Sequence, residues 1–351
     1  MANTRLRTSE DQRRGKIKCI VWDLDNTLWD GVLLEDETVS LREDVVNIIE
    51  TLDRRGILQS IASKNDYHQA MAVVDGFGLA DYFLYPQINW NSKASSIETI
   101  ASAINIGLDT IAFIDDQPFE REEVNFSFPQ ILCVDATNLS QLLDMPEMNP
   151  RFITEDSRKR RLMVLRDRDR QKAEDEFVGP QEEFLASLGM ILTILPAQEE
   201  DLRRAEELTL RTNQLNTSGY TYSYDALKHF CQSDQYQLLI AGLEDKYGTY
   251  GKIGLALVEF GPQIWVIKLL LMSCRVMSRG VGGIMINHIR QQAKRKGVRL
   301  QAEFVPNERN RMMYMTYKFA HFKEIEKTDT CLILENDLQQ MISFPPYVKI
   351  K

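Results

Sequence analysis

The chain has 351 residues, 44% hydrophobic and 26% charged, an ordinary globular composition with enough length for two cores. A formal net charge of -9 argues against a general nucleic-acid binder, which needs a basic face, so an anionic partner would have to meet a local basic patch. The polar start Met1–Lys18 lacks an apolar signal core, no apolar run approaches the roughly 18 residues of a membrane span, and the cysteines at 19, 133, 231, 274 and 331 lack disulfide or zinc spacing, so the expectation is a cytoplasmic protein with reduced thiols.

After a polar tail (1–16), short β-rich runs alternate with helical stretches. Strands are predicted at Ile17–Trp22, Leu58–Ala62, Tyr82–Tyr85, Thr110–Ile114 and Ile131–Val134, and helices at Glu43–Arg54, Tyr67–Phe77 and Lys93–Ile104. This alternation predicts an α/β domain over 17–143 with a doubly wound, mostly parallel sheet, and such sheets bind ligands at strand C-termini. The Pro-containing stretch Asp144–Pro150 opens an expected linker and charged helix (144–180). Over 181–351 the order changes to strand (Met190–Leu195), helix (Glu199–Arg211), strands Gln237–Gly242, Ile253–Phe260 and Ile264–Met272, a helix, strand Arg299–Phe304, a helix and strand Thr330–Leu334, an α+β domain with its own core.

The chemistry-bearing residues fall at the predicted strand ends. Asp23 and Asp25 follow the apolar run Ile17–Trp22, and residues i and i+2 of a strand point the same way. One carboxylate can attack phosphorus while the other handles the leaving-group proton, with a divalent cation holding the phosphate oxygens. Ser63 ends the second strand with a hydroxyl, Lys93 supplies a cation at a helix start, and Asp115-Asp116 is an acidic pair suited to magnesium. Singly, each residue reads as a cap, a turn or a solvated charge; in order behind apolar strands they point to phosphoryl transfer.

This set resembles the haloacid dehalogenase superfamily over about residues 16–140. The resemblance implies Asp23 as nucleophile, Asp25 as general acid/base, Ser63 and Lys93 as phosphate holders, and a Mg2+ site formed by Asp23, the Asp25 backbone carbonyl, and Asp115 supported by Asp116. The intervals leave no room for a cap domain, only a flap around Trp29–Asp36.

In the second domain, strand Ile264–Met272 delivers Ser273-Cys274-Arg275 and the glycine-rich run Arg279-Gly280-Val281-Gly282-Gly283 before a helix. Such a turn presents free backbone N–H groups to an anion. It resembles the coenzyme A loop of GNAT acyltransferases, matching at Arg279 and Gly282 but carrying Ile284 where Gly or Ala is usual. Asn307–Phe322 is similar to that family's last helix, with His321 in place of the usual Gly. Arg275, Arg279 and the helix N-terminus would favour a nucleophilic Cys274 thiolate over a buried structural thiol. The other cysteines read as structural and the histidines as ordinary side chains.

Val21–Val32, Arg211–Asn216, Asp245–Gly251 and Ser273–Gly280 together resemble the FkbH family of polyketide biosynthesis across nearly the whole chain after residue 16. That resemblance implies use of 1,3-bisphosphoglycerate, removal of phosphate, and loading of a D-glyceryl unit as a thioester on an acyl carrier protein's phosphopantetheine through acylated Cys274. Asn213 and Gln214 are candidate substrate contacts or turn-formers. Two basic clusters, Arg158–Arg161 with Arg166, Arg168 and Arg170, and Lys294–Lys296 with Arg299, are candidate docking patches for an acidic carrier or solvated helix faces. The rival expectations are a magnesium phosphatase with the second domain as lid, a GNAT acetyltransferase fused to an inactive first domain, and a carrier-docking module without turnover.

Overall fold

The computed structural model describes residues 15–212, 214–340 and 342–351. The chain forms two compact units, which divide between Leu165 and Arg166.

The first unit contains β1 (Cys19–Trp22), β2 (Trp29–Asp30), β3 (Ser40–Leu41), α1 (Val45–Arg54), β4 (Leu58–Ser63), α2 (Tyr67–Gly76), β5 (Gln87–Ile88), α3 (Lys93–Ile104), β6 (Ile111–Asp115), α4 (Pro118–Ser127) and β7 (Leu132–Asp135). Its main sheet is parallel in the order β5-β4-β1-β6-β7, the expected doubly wound arrangement. Strands β1, β4 and β6 are buried along their whole length, as strands covered on both faces must be; β1 and β6 accordingly read as apolar runs, whereas β4 carries the buried polar residues Gln59, Ser60 and Ser63. Alternate residues feed opposite cores: Ile20 and Trp22 join one cluster with Ile48 and Ile61, while Cys19 and Val21 join another with Ile97 and Phe113. The β2–β3 hairpin forms the expected flap.

Two expectations are corrected here. The strand predicted at Tyr82–Tyr85 is instead a helical turn, Ala80–Tyr82, followed by a single bridge at Phe83; Tyr85 takes φ 52°, which breaks the extended run, and pairing resumes at β5. The first unit also continues past residue 143 through much of the expected linker. Met148 and Met163 are buried, Arg160 donates to the Gly56 carbonyl at 3.0 Å, and Arg161 pairs with Asp53 at 3.0 Å. These charged side chains tie the segment down rather than solvate it.

The second unit begins within α5 (Arg160–Asp175) and continues through α6 (Gln181–Ser187), β8 (Met190–Pro196), α7 (Leu202–Arg211), α8 (Tyr224–Gln232), β9 (Tyr236–Asp245), β10 (Gly248–Phe260), β11 (Ile264–Met272), α9 (Val281–Lys296), β12 (Arg299–Phe304), α10 (Arg311–Phe319), β13 (Phe322–Lys327), β14 (Leu332–Asn336) and β15 (Val348–Ile350). Its mixed sheet runs β13-β14-β12-β11-β10-β9-β8-β15, with only β11–β12 and β8–β15 parallel. α9 and α10 pack on one face, and α7 and α8 on the other. β13 and β15 were not expected. β13 is an edge strand whose residues after Phe322 are all exposed, so it carries no apolar alternation.

Strands β11 and β12 pair only from Ile264–Ile267 against Arg299–Ala302 and then part. The chain's own segment Leu215–Thr217 bonds into the opening. Thr217 N donates to Leu270 O at 3.0 Å, Leu270 N donates to Thr217 Oγ1 at 2.9 Å, Met272 N donates to Leu215 O at 3.0 Å, and Val305 N donates to Thr217 O at 2.9 Å. Among the described residues no helix is long and apolar enough to cross a membrane.

Candidate active site

Asp23 is the first residue after β1, and its backbone N–H donates to Ile114 O at 2.9 Å, which sets it level with the end of β6. Asp115 closes β6, Asp116 follows it, and Lys93 opens α3. This convergence at strand C-termini brings four of the expected residues together. Lys93 Nζ lies 2.6 Å from Asp23 Oδ1 and 2.7 Å from Asp115 Oδ2, and all three residues are buried. Carboxylate oxygens of Asp23, Asp115 and Asp116 lie within 4.8 Å of one another. An octahedral magnesium ion at about 2.1 Å from each ligand spans up to about 4.2 Å, so the donor set fits after small side-chain adjustments.

The charge balance of the site suits a cation. Three carboxylates face one ammonium, leaving an excess of two negative charges in a largely buried site. Burial pushes Asp23 up to about 6, against the opposing pull of Lys93, and the charge of Asp115 adds to the rise. Burial likewise raises Asp115 and Asp116. Burial works against the Lys93 charge, but the flanking Asp23 and Asp115 hold its pKa above the ordinary lysine value.

Asp25 sits in the turn after β1, where Leu24 O accepts from the N–H groups of Thr27, Leu28 and Trp29. Its Oδ1 accepts from Trp29 Nε1 at 2.8 Å and from Leu33 N at 3.0 Å, both in or beside the flap. Its Oδ2 accepts from Asn65 Nδ2 at 2.9 Å. Thr27 Oγ1 accepts from Asp116 N at 3.0 Å, joining the first motif to the last. Ser63 is buried at the end of β4, two residues beyond Ile61, the partner of Trp22. Asn65 and Thr27 were not assigned roles from sequence. The i+2 spacing from Ser63 to Asn65 and from Asp25 to Thr27 was the available signal.

In the second unit, Cys274 is partly buried and begins a short helical turn, Cys274–Arg279, two residues after β11. Gly280 takes φ 74°, and α9 starts behind it. The expected arginines have other partners: Arg275 donates to Tyr250 O at 2.8 Å, and Arg279 donates to Glu174 Oε2 at 3.0 Å. Arg279 Nε and Nη1 are buried without a partner among the described residues. Gly282 packs so closely that a Cβ would collide with Met272 Cε. His321 takes φ 65°, so the backbone turn favouring glycine persists although histidine occupies it.

Beside the glycine-rich helix start lies a cavity of about 290 Å³ lined by Met272, Met277, Ile284, Asn287, Met313 and Phe344 among others. Asn287 donates to Ile342 O at 2.5 Å while its buried Oδ1 has no partner among the described residues. Gln214 is exposed, and Asn213 lies outside the described residues. The adjacent Asn216 builds a turn, its Oδ1 accepting from Ser218 N and Gly219 N, both at 3.0 Å.

The basic clusters are engaged in part. Arg170 is buried against Asp245, and Arg161 pairs with Asp53. Lys294–Lys296 are exposed at the end of α9, about 24 Å of helix from Gly280, and Arg299 pairs with Glu335 at 2.6 Å.

No family model and no curated protein matches the chain. Among solved structures, it is similar to the N-terminal part of a Bacteroides fragilis protein containing a phosphatase domain, complexed with Mg, at 30% identity and TM-score 0.35, covering 38% of this chain and 41% of that one. The chain therefore spans about two fifths of that structure's length. It is also similar to the PaiA N-acetyltransferase of Thermoplasma acidophilum in complex with coenzyme A (16% identity, TM-score 0.33, 41% of this chain, 97% of that one). A third similar structure is the GNAT domain of S. lividans PAT (18% identity, TM-score 0.33, 41% of this chain, 88% of that one). The strand orders described above carry the assignment of fold class: a doubly wound α/β unit followed by an α+β unit with a mixed sheet.

Proposed function

We propose that the chain is a two-site enzyme that removes phosphate from 1,3-bisphosphoglycerate and loads the resulting glyceryl unit as a thioester on the phosphopantetheine of an acyl carrier protein. The cluster of buried Asp23, Lys93 and Asp115 with half-buried Asp116 carries the phosphoryl-transfer part of this reading. A Mg2+ ion held by Asp23, Asp115 and Asp116 would neutralise their charge and polarise the phosphoryl oxygens.

Asp23 Oδ attacks phosphorus, the bond to the carbon 3 oxygen breaks, and Asp25 gives that oxygen its proton. Asp25 then takes a proton from water as it attacks the phosphoaspartate, releasing inorganic phosphate and Asp23. Ser63 and Lys93 hold the phosphoryl oxygens. At the other end of the substrate, Cys274 thiolate attacks carbon 1 of the acyl phosphate, phosphate leaves, and the carrier thiol displaces the cysteine by thiol–thioester exchange.

The unpartnered N–H groups of Arg279 support an anionic acyl substrate near Cys274, and the apolar cavity with Asn287 Oδ1 supports an amide-bearing thiol arm. Intact-mass analysis with 1,3-bisphosphoglycerate, Mg2+ and a holo carrier protein tests the proposal. A glyceryl mass on the carrier, lost in Cys274→Ala, is expected; free phosphate beside an unmodified carrier would refute loading.

A magnesium phosphatase acting on a small metabolite or phosphoprotein, with the second unit as lid or docking module, is the second reading. It is favoured by the engagement of Arg275 with Tyr250 O and Arg279 with Glu174, and by the filled opening between β11 and β12. It predicts that Cys274→Ser leaves phosphate release and product identity unchanged.

A further inference from the structure

We infer that Asn65 is the positioning residue for proton transfer by Asp25, and that Asp25 Oδ2 is the oxygen that exchanges the proton. The inference rests on the phosphoryl-transfer reading of the first unit and adds a residue and an atom to it.

Each carboxylate oxygen offers two lone pairs. Both on Oδ1 are taken, one by the Trp29 indole N–H at 2.8 Å and one by the Leu33 backbone N–H at 3.0 Å. Oδ2 accepts from the Asn65 amide at 2.9 Å, which leaves one lone pair for a leaving-group proton. The flap therefore fixes the carboxylate at one end, while Asn65 sets the direction of the other.

Asn65 is itself held. It is 1% exposed, and its Oδ1 accepts from Asp66 N at 3.2 Å. Asp66 then caps α2, its side chain accepting from Gln69 N. The amide is consequently aimed by the junction of β4 and α2, two residues beyond the buried Ser63, with little freedom to turn.

When Asp23 displaces an alkyl phosphate ester, the P–O bond breaks and the departing alkoxide needs a proton, which passes from Oδ2. A nitrophenolate leaving group is stable as an anion and needs none. Removing the Asn65 donor should therefore lower kcat/KM selectively for alkyl esters, because kcat/KM covers only the steps through phosphoryl transfer and leaves out the hydrolysis of the phosphoaspartate that both esters share, whereas a general loosening of the fold would lower it for both kinds of ester alike.

The test compares glycerol 3-phosphate and p-nitrophenyl phosphate with Mg2+ for the full chain, Asn65→Ala and Asn65→Asp. The second variant keeps the side-chain shape but supplies no amide donor. A loss of about 100-fold in kcat/KM on glycerol 3-phosphate is expected for both variants, with less than about a fivefold loss in kcat/KM on the nitrophenyl ester. Thermal melts identify a variant that has failed to fold, and the other then carries the comparison. Equal losses on the two esters, or no loss, would overturn the assignment of Asn65. If the unaltered chain hydrolyses neither ester, the phosphoryl-transfer reading itself falls.

Discussion

The Lys93 ammonium stands 2.6 Å from Oδ1 of Asp23, the proposed nucleophile, so one cation directly compensates that carboxylate. It also bridges to Asp115 at 2.7 Å. Lys93→Met should leave these buried carboxylates without their shared partner. Phosphatase turnover is expected to fall by about 100-fold or more, because the site loses a preorganised charge. In EDTA the variant should lose about 3 kcal/mol, the usual cost of breaking a buried pair from one side. Phosphate release and urea denaturation check both values.

Magnesium should stabilise the protein more as pH rises. Asp23 is raised to about 6 by burial, so between its ordinary value and about 6 the metal-free folded state retains a proton that the unfolded state has released. The favourable contribution of that proton is present at low pH and disappears as pH rises through about 6. Mg2+ replaces it, and protons compete with the ion below that point. Thermal melts with and without Mg2+ should therefore differ more near about pH 8 than near about pH 5, and Asp23→Asn should flatten the difference.

Arg170 is the corresponding buried charge in the second unit. Its Nε and Nη2 donate to the two oxygens of Asp245, both at 2.8 Å, and its guanidinium lies 3.7 Å from the Tyr250 ring centroid. Arg170→Leu should cost about 3–5 kcal/mol by stranding Asp245, whereas adding Asp245→Leu should recover a substantial part. Chemical denaturation of the two variants checks the order.

Gly280 must be glycine for a backbone reason. Its φ of 74° disfavours any side chain, and a Cβ would meet Tyr347 Oη at 2.8 Å. Gly280→Ala should cost about 1 kcal/mol or more and reduce acyl transfer relative to phosphatase turnover. Gly283, where a Cβ meets no atom within 4 Å, is the control: Gly283→Ala should be neutral or slightly stabilising.

The doubly wound order of the first unit was legible because β1 and β6 announce themselves as apolar runs and helical stretches alternate with the short strands between them. The same locality placed Asp23, Lys93, Asp115 and Asp116 at element ends, where they converge. The second unit was less legible at its edges. β13 is a charged edge strand and β15 has three residues, so neither produces a periodic pattern long enough to register.

By itself, the sequence determined which carboxylates and cation belong to the candidate site, because strand length, alternation and the turn after each strand are local properties of the chain. Only the tertiary structure decided what those groups touch. The Asn65–Asp25 contact joins residues 40 apart, the Leu215–Thr217 segment bonds to Leu270, Met272 and Val305, and Arg275 and Arg279 are drawn to Tyr250 O and Glu174. Such partners are selected by which side chains the packed sheets bring within hydrogen-bond reach, and no local periodicity encodes that choice.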